Sequence, residues 1–178
     1  MRYYMFNKPR GCVTARRDER HRTVMDYFPE CDRDVLFPVG RLDRDTVGMM
    51  ILTNDGQSAH DLLSPKHHVT KKYRFECDEP LPLGTEERFA DSITLADGYE
   101  CKPAGLICDP DRLGGIITLT EGKYHQIKRM IAASGSHVTY LERISFADIP
   151  LDSSLARGEW RYLTAEEEKH LLSKTNAN

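Results

Sequence analysis

Apolar and polar positions alternate with period two over several short stretches and with helical period over fewer, so the chain reads as many short strands with helices between them. Arg2–Asn7 alternates weakly and is rich in aromatic residues, which suits a strand, and Lys8-Pro9-Arg10-Gly11 breaks it with a basic turn. Thr23 is placed to cap a short helix through Phe28, with Asp26 in capping-box position and Pro29 after the end. Phe37–Val39 and Gly48–Thr53 read as strands. Asn54-Asp55-Gly56 is a turn, and Asp55 is placed to cap a helix over Gln57–Leu63 that Ser64-Pro65 ends. In Lys71–Cys77, Tyr73, Phe75 and Cys77 face one way and Lys72, Arg74 and Glu76 the other, the pattern of a half-buried strand. Thr85 caps a helix with Glu86 and Glu87 in its first turn and Phe89, Ala90 and Ile93 as its inner stripe. Ala96-Asp97-Gly98 is a turn, and Ala104–Cys108 pairs with Gly115–Thr120 as a hairpin across Asp109–Gly114. Glu121–Gly135 is the clearest helix, with Ile127, Met130, Ile131 and Ser134 on one side and Gly135 just past its end. His137–Phe146 and Gly158–Tyr162 are further strands. Thr164–Leu172 is a terminal helix with Glu167 completing a capping box, and Lys174–Asn178 is a frayed tail. This pattern predicts an α+β fold, one mixed or mainly antiparallel sheet with helices packed on it.

Composition narrows the class. The 178 residues, 39% hydrophobic and 30% charged, suffice for one domain with a real core, or for two lobes around one cleft. There is no repeat, low-complexity tract or obvious linker, no apolar run of membrane-spanning length and no signal-peptide pattern. Cys12, Cys31, Cys77, Cys101 and Cys108 are odd in number and lack metal-type clustering, so they read as buried free thiols in a reducing cytoplasm. The net charge of −3 does not announce a nucleic-acid partner. Basic residues nevertheless gather at Lys8–Arg22, Lys66–Arg74 and Lys123–Arg129, a distribution that suits a solvated surface or a phosphate backbone equally well.

Several familiar sites are missing. There is no G-x-x-x-x-G-K-[ST] phosphate loop, no G-x-G-x-x-G turn, no H-E-x-x-H and no G-x-S-x-G, and adjacent His67-His68 has the wrong spacing for a chelate. Any chemistry falls to side chains acting without metal or cofactor. Three candidates stand out. Asp43, in Gly40-Arg41-Leu42-Asp43, lies on a loop flanked by Arg41 and Arg44 and leading into an apolar strand. It reads as a carboxylate fixed in a positive field or as a surface ion-pair loop. Tyr73 is a core residue or an aromatic platform, and Lys128 with Arg129 is an exposed basic helix face or a source of catalytic charge.

A resemblance decides among these. GRLDRDTVGMMILTNDG, residues 40–56, closely resembles the G-R-L-D-x-x-[TS]-x-G-L-L-[LI]-[LM]-T-[ND]-[DN]-G signature of the RsuA-type ribosomal RNA pseudouridine synthases, with Met49 and Met50 as volume-conserving departures. YMFNKPRG (4–11) resembles the family's N-K-P-x-G strand, SPKHHVTKKY (64–73) its S-P-[RK]-x-x-x-x-K-x-Y segment, and EGKYHQIKRM (121–130) its E-G-[KR]-x-x-Q-[IV]-[KR]-R-M segment. GEWR and LT at 158–161 and 163–164 resemble its G-E-[WY]-R-x-L-T ending. The His-His and Tyr-His pairs lean toward the small-subunit (16S) rRNA branch. Family members usually open with an S4 RNA-binding domain, whereas this chain starts at the catalytic strand.

The resemblance implies a pseudouridine synthase fold over residues 1–178, two lobes around a central RNA-binding cleft. It also implies isomerisation of a flipped uridine in ribosomal RNA or an assembly intermediate, without cofactor or metal, by a cytoplasmic monomer. Asp43 would be the catalytic aspartate, Lys128 the cation that keeps it ionised with Arg129 as fallback, and Tyr73 the base-stacking tyrosine. Arg41 would enter the space the uridine vacates, and Lys8, Arg10, Lys66, Lys72, Lys123, Gln126 and Arg129 would hold RNA. The other readings are a non-catalytic RNA-binding protein of the same fold acting in ribosome assembly, and a hydrolase using Asp43, which lacks a convincing second carboxylate.

Overall fold

Backbone pairing follows the period-two stretches closely. The computed structural model describes residues 1–176. In chain order it contains strand β1 (Tyr3–Lys8), a 3₁₀ turn (Val24–Tyr27), helix α1 (Glu30–Arg33), strands β2 (Phe37–Val39) and β3 (Val47–Thr53), helix α2 (Gly56–Leu63) and a second 3₁₀ turn (Pro65–His67). Strand β4 (Lys71–Cys77), helix α3 (Thr85–Asp91), strands β5 (Gly105–Cys108) and β6 (Gly114–Leu119), and helix α4 (Gln126–Ala133) follow. Strands β7 (Val138–Phe146), β8 (Ile149–Pro150) and β9 (Trp160–Tyr162) and helix α5 (Ala165–Ser173) complete it. The chain forms two compact units, one of Met1–Val69 with everything from Arg143 onward, the other of Thr70–Glu142.

In the first unit β3 is the hub. β1 lies antiparallel on it from Tyr3↔Thr53 to Lys8↔Gly48, β2 pairs with its opposite edge from Phe37↔Thr53 to Val39↔Ile51, and β9 extends the sheet beyond β1. Neither β1 nor β3 has an exposed residue. The weak alternation of β1 has this cause, since a strand covered on both faces reads as a near-continuous apolar run. Tyr3 and Met5 join an aliphatic core with Met49, Ile51, Leu62, Phe146, Leu163 and Leu171. Tyr4 and Phe6 join an aromatic cluster with Phe28 and Trp160, whose ring centroids lie 5.1 to 5.5 Å apart.

The expected caps form. Thr23–Asp26 and Thr164–Glu167 are full capping boxes, and Asp55 accepts from Ser58 N at 3.1 Å; such a cap contributes about 1 kcal/mol. Pro29 does more than follow a helix, because α1 begins directly after it. Of the tail, Lys174 bonds Asp148 at 3.0 Å and the Thr175 hydroxyl donates to Leu172 O at 2.8 Å, so these residues are tied down; the last two residues of the tail lie outside the described ones.

The second unit is the antiparallel set β5-β6-β4 with α3 and α4. Phe75, Phe89, Ile93, Ile117, Met130 and Ile131 are buried. Two adjacent glycines let its strands close: a Cβ on Gly114 or Gly115 would come within 3.0 Å of Phe75 O or Ile107 O. Two expectations about α3 fail. Gly84, at φ +94°, occupies the cap position while the Thr85 hydroxyl donates to Pro82 O at 2.6 Å, and Ala90 faces solvent. The helix expected over Glu121–Gly135 spans only Gln126–Ala133, because His125 is left-handed at φ +49° and the Glu121 side chain turns inward to other partners. Gly135, at φ +92°, does terminate it. The cysteines are free; Cys12, Cys77 and Cys101 are buried as expected, whereas Cys31 is exposed and Cys108 half-buried. No helix among the described residues is long and apolar enough to cross a membrane.

Candidate active site

In the first unit the Gly40–Thr46 loop is fixed at almost every residue. Gly40 leaves β2 at φ +88°, where a side chain would strain the backbone and an added Cβ would sit 3.3 Å from Leu63 Cδ2. Leu42 is buried, and its backbone is held on both sides by one hydroxyl: Thr14 Oγ1 donates to Leu42 O at 2.9 Å and accepts from Leu42 N at 3.2 Å. Thr46 N donates to Asp43 O at 3.0 Å, closing a turn, and Gly11 N donates to Arg44 O at 2.8 Å. Leu42 and Thr46 point in, Arg41, Arg44 and Asp45 point out, and Asp43 lies half-buried between them.

Beneath this loop sits Lys8. Its ammonium is fully buried and donates to Pro9 O at 3.1 Å, Arg44 O at 3.2 Å and Thr46 O at 2.7 Å. Burial lowers its pKa, and the negative charges of Asp45 and Asp43 oppose that shift. The sequence-based assignment of Lys8 to RNA binding is thus corrected: a side chain with no exposed surface and three backbone acceptors braces the loop. Arg41 and Arg10 do face solvent. The Arg44 side chain reaches His21, its Nη1 lying 3.3 Å from His21 Nδ1. Lys66 is exposed in the turn after α2.

In the second unit Tyr73 lies mid-strand on β4, opposite Ile117 and almost fully buried, while neighbouring Lys72 faces solvent. Lys128 is in the first turn of α4 and half-exposed. The loop before it hangs on Glu121, whose carboxylate accepts from the Tyr99 hydroxyl at 2.6 Å, Lys102 N at 2.7 Å and Gln126 Nε2 at 2.7 Å. Burial pushes the Glu121 carboxyl up, but these donors outweigh it and the group stays below the ordinary glutamate value. The same hydrogen bond raises the Tyr99 hydroxyl to about 12.

Two more assignments change here. Gln126 is 5% exposed and spends both ends of its amide inside the protein, its Oε1 accepting from Lys123 N at 2.9 Å, so it shapes the loop instead of holding RNA. Arg129 is engaged by Asp97 at 2.6 Å and by Tyr124 O at 3.2 Å, so it is neither a ready substitute for Lys128 nor an open phosphate ligand. Lys123 is exposed, its Nζ 5.2 Å from the centroid of the Tyr99 ring. Thr14 and Glu121 carry structure that residue-type reasoning missed. Thr14 has no sequence signal, whereas the Glu121-to-Gln126 spacing inside a motif was a usable one.

The first unit therefore presents a carboxylate on a rigid loop over a buried cation, suited to act as nucleophile or base. The second presents an aromatic ring on a strand and an ammonium on a helix start. No group of three or more His, Cys, Asp or Glu is placed to hold a metal among the described residues.

Comparison with known proteins agrees with this chemistry. The sequence model for RNA pseudouridylate synthase matches residues 2–133. An uncharacterised RNA pseudouridine synthase of Bacillus subtilis, YtzG, is 45% identical over 98% of this chain and 74% of its own length. Ribosomal small subunit pseudouridine synthase A of Escherichia coli K12 is 42% identical over 93% of this chain and 72% of its own. A crystal structure of a pseudouridylate synthase superposes with a TM-score of 0.90 at 39% identity, covering 96% of this chain and 73% of the other.

Proposed function

The chain belongs to the RNA pseudouridylate synthase family and isomerises uridine in RNA to pseudouridine, and we propose that its substrate is a uridine in the RNA of the small ribosomal subunit. The family's activity favours this over a non-catalytic RNA-binding role. The small-subunit target is supported by relatives at 42 to 44% identity that are ribosomal small subunit pseudouridine synthases.

In the reaction the N1–C1′ bond breaks, the uracil turns, and a C5–C1′ bond forms. The proton leaves C5 and a proton is taken up at N1, so nothing is oxidised or reduced. We assign Asp43 as the catalytic carboxylate, acting at the ribose C1′ or on a sugar proton. Lys128 supplies positive charge that keeps a carboxylate ionised, and Tyr73 offers a ring face to the target base and a hydroxyl for proton removal at C5. Arg41, exposed two residues before Asp43, fills the stack the flipped uridine leaves; flipping costs a few kcal/mol in general. Exposed Arg10, Lys66, Lys72 and Lys123 contact phosphates, which positions the RNA without reading its sequence. The protein acts as a cytoplasmic monomer, one catalytic domain needing no cofactor.

The observation that carries this assignment is the Gly40–Thr46 loop, pinned by Thr14, Gly11 and Lys8 so that Asp43 is held in place before substrate arrives. The test is incubation with ribosomal RNA and with assembly intermediates, followed by mapping of carbodiimide-stable adducts and assay of free uracil. One new pseudouridine in small-subunit RNA without uracil release is expected. A site only in large-subunit RNA overturns the target, uracil release indicates a hydrolase, and neither product indicates a binder.

A further inference from the structure

The loop between Glu121 and α4 carries a feature that the reaction does not use. Tyr124 is 76% exposed, among the most exposed large side chains of the protein, yet its ring is not loose. It stacks on the His125 ring with centroids 3.8 Å apart and planes 18° from parallel. Consecutive side chains do not face each other in a strand or a helix. Here they do because His125 adopts the left-handed conformation, φ +49° and ψ 36°, a sparsely populated state for a residue with a side chain. The surrounding bonds hold that geometry: Arg129 donates to Tyr124 O, Gln126 Oε1 accepts from Lys123 N, and Glu121 anchors Gln126. One face of the tyrosine is occupied by histidine, and most of the remaining ring is open to water. An exposed Lys123 precedes it, and Lys128 lies in the first turn of the helix that follows.

We propose that Tyr124 and His125 form a stacking platform for an unpaired RNA base other than the uridine that is isomerised, so that the bound order is base, Tyr124, His125. The proposal rests on the reading of RNA as substrate. Unpaired bases are gripped by stacking on exposed aromatic rings beside cationic groups, and a ring already fixed in place loses little freedom when a base settles on it. The platform gives affinity and selects RNA in which a base near the target is free of its own stack.

The test uses the full chain and single-stranded oligoribonucleotides of small-subunit RNA sequence around the modified uridine. Affinity is measured at several salt concentrations, and KM and kcat for pseudouridine formation in parallel. Tyr124→Ala should weaken binding about 5- to 150-fold, the range for losing one base–aromatic stack, and raise KM while leaving kcat near the parent value. Tyr124→Phe should match the parent. The slope of log affinity against log salt should not change in either variant, whereas loss of a phosphate contact would reduce it by about 0.7. Abasic substitutions along the oligonucleotide should find one position whose loss equals that of Tyr124→Ala and is not deepened by it. Parent-like binding by Tyr124→Ala, equal loss in Tyr124→Phe, a changed salt slope, or additive abasic effects at every position would each overturn the platform. Turnover by the parent protein scores the isomerase reading separately. An inactive parent whose affinity still depends on the Tyr124 ring keeps the platform and loses the proposed function.

Discussion

Replacing Glu121 by alanine removes one acceptor from three donors, and the structure indicates how much that is worth. Glu121 is 9% exposed. The Gln126 amide that donates to it is buried, and leaving that group unpartnered costs about 1–3 kcal/mol. The Lys102 N–H is only part-buried and can recover a water, which adds about 0.5–1 kcal/mol. The Tyr99 hydroxyl can turn to solvent and adds little. Removing the carboxylate also relieves its own desolvation, so the net loss should be about 2–3 kcal/mol. For a chain of this size that corresponds to a melting temperature lower by about 4–12 °C. Urea unfolding followed by far-UV circular dichroism should show a lower midpoint with an unchanged m-value. Gln126→Ala alone should cost a similar amount, and the double variant should fall short of the sum by about 1 kcal/mol or more, because both remove the same bond. Turnover should fall in all three, since the loop sets the start of the helix carrying Lys128. Stability within about 0.5 kcal/mol of the parent for Glu121→Ala, or full additivity with Gln126→Ala, would refute the brace.

Lys8→Met should lower kcat by at least about tenfold, with a stability loss of about 1–3 kcal/mol, because Thr46 O loses a buried donor and the Asp43 loop its underlying charge; unchanged steady-state kinetics would contradict this. Gly115→Ala should destabilise the β5–β6 hairpin by about 1–3 kcal/mol, its Cβ coming within 3.0 Å of Ile107 O, while Gly105→Ala meets only ordinary contact at 3.5 Å. Urea midpoints of the two variants check the contrast. The carboxyls of Asp55 and Asp109 are held below their ordinary values by Ser58 and Tyr3 and by Arg74, Glu167 is lowered by Arg161, and Asp152 lies at about 2 through Ser154 and Arg161. Depressed folded-state values stabilise above the unfolded carboxylate range near pH 4 and lose that contribution as pH falls through them. The urea midpoint should therefore drop progressively below about pH 4, and a midpoint that rises on acidification would contradict the assigned ion pairs.

The parts of the fold visible in the sequence are those fixed by local chemistry. β4 matches Lys71–Cys77 residue for residue because its two faces differ in polarity, and Thr23, Asp55 and Thr164 cap because each bonds only two or three residues ahead. What was illegible depends on distant partners. Glu121–His125 looks helical by spacing, but its conformation is set by Tyr99 and Lys102, about twenty residues away. The β7–β8 hairpin turns on Ala147 and Asp148, both at positive φ, without the Asn-Gly or Asp-Gly pair that usually signals such a turn. At the site, the Asp43 loop was legible as a motif, whereas the burial of Lys8 was not. Lysine is almost never fully buried, and only the fold reveals three carbonyls converging on its ammonium.

In the proposed assignment Asp43 carries the chemistry. Asp43→Asn keeps the side-chain volume and removes the charge, so the measurement is pseudouridine formation in small-subunit ribosomal RNA by the purified variant, with RNA affinity determined on the same preparation. Activity should fall by at least about 10³-fold, the scale on which a positioned acid–base group acts, while affinity stays within a few-fold of the parent. Substantial isomerisation by the variant, with carbodiimide-stable adducts accumulating at a rate near the parent's, would contradict the account.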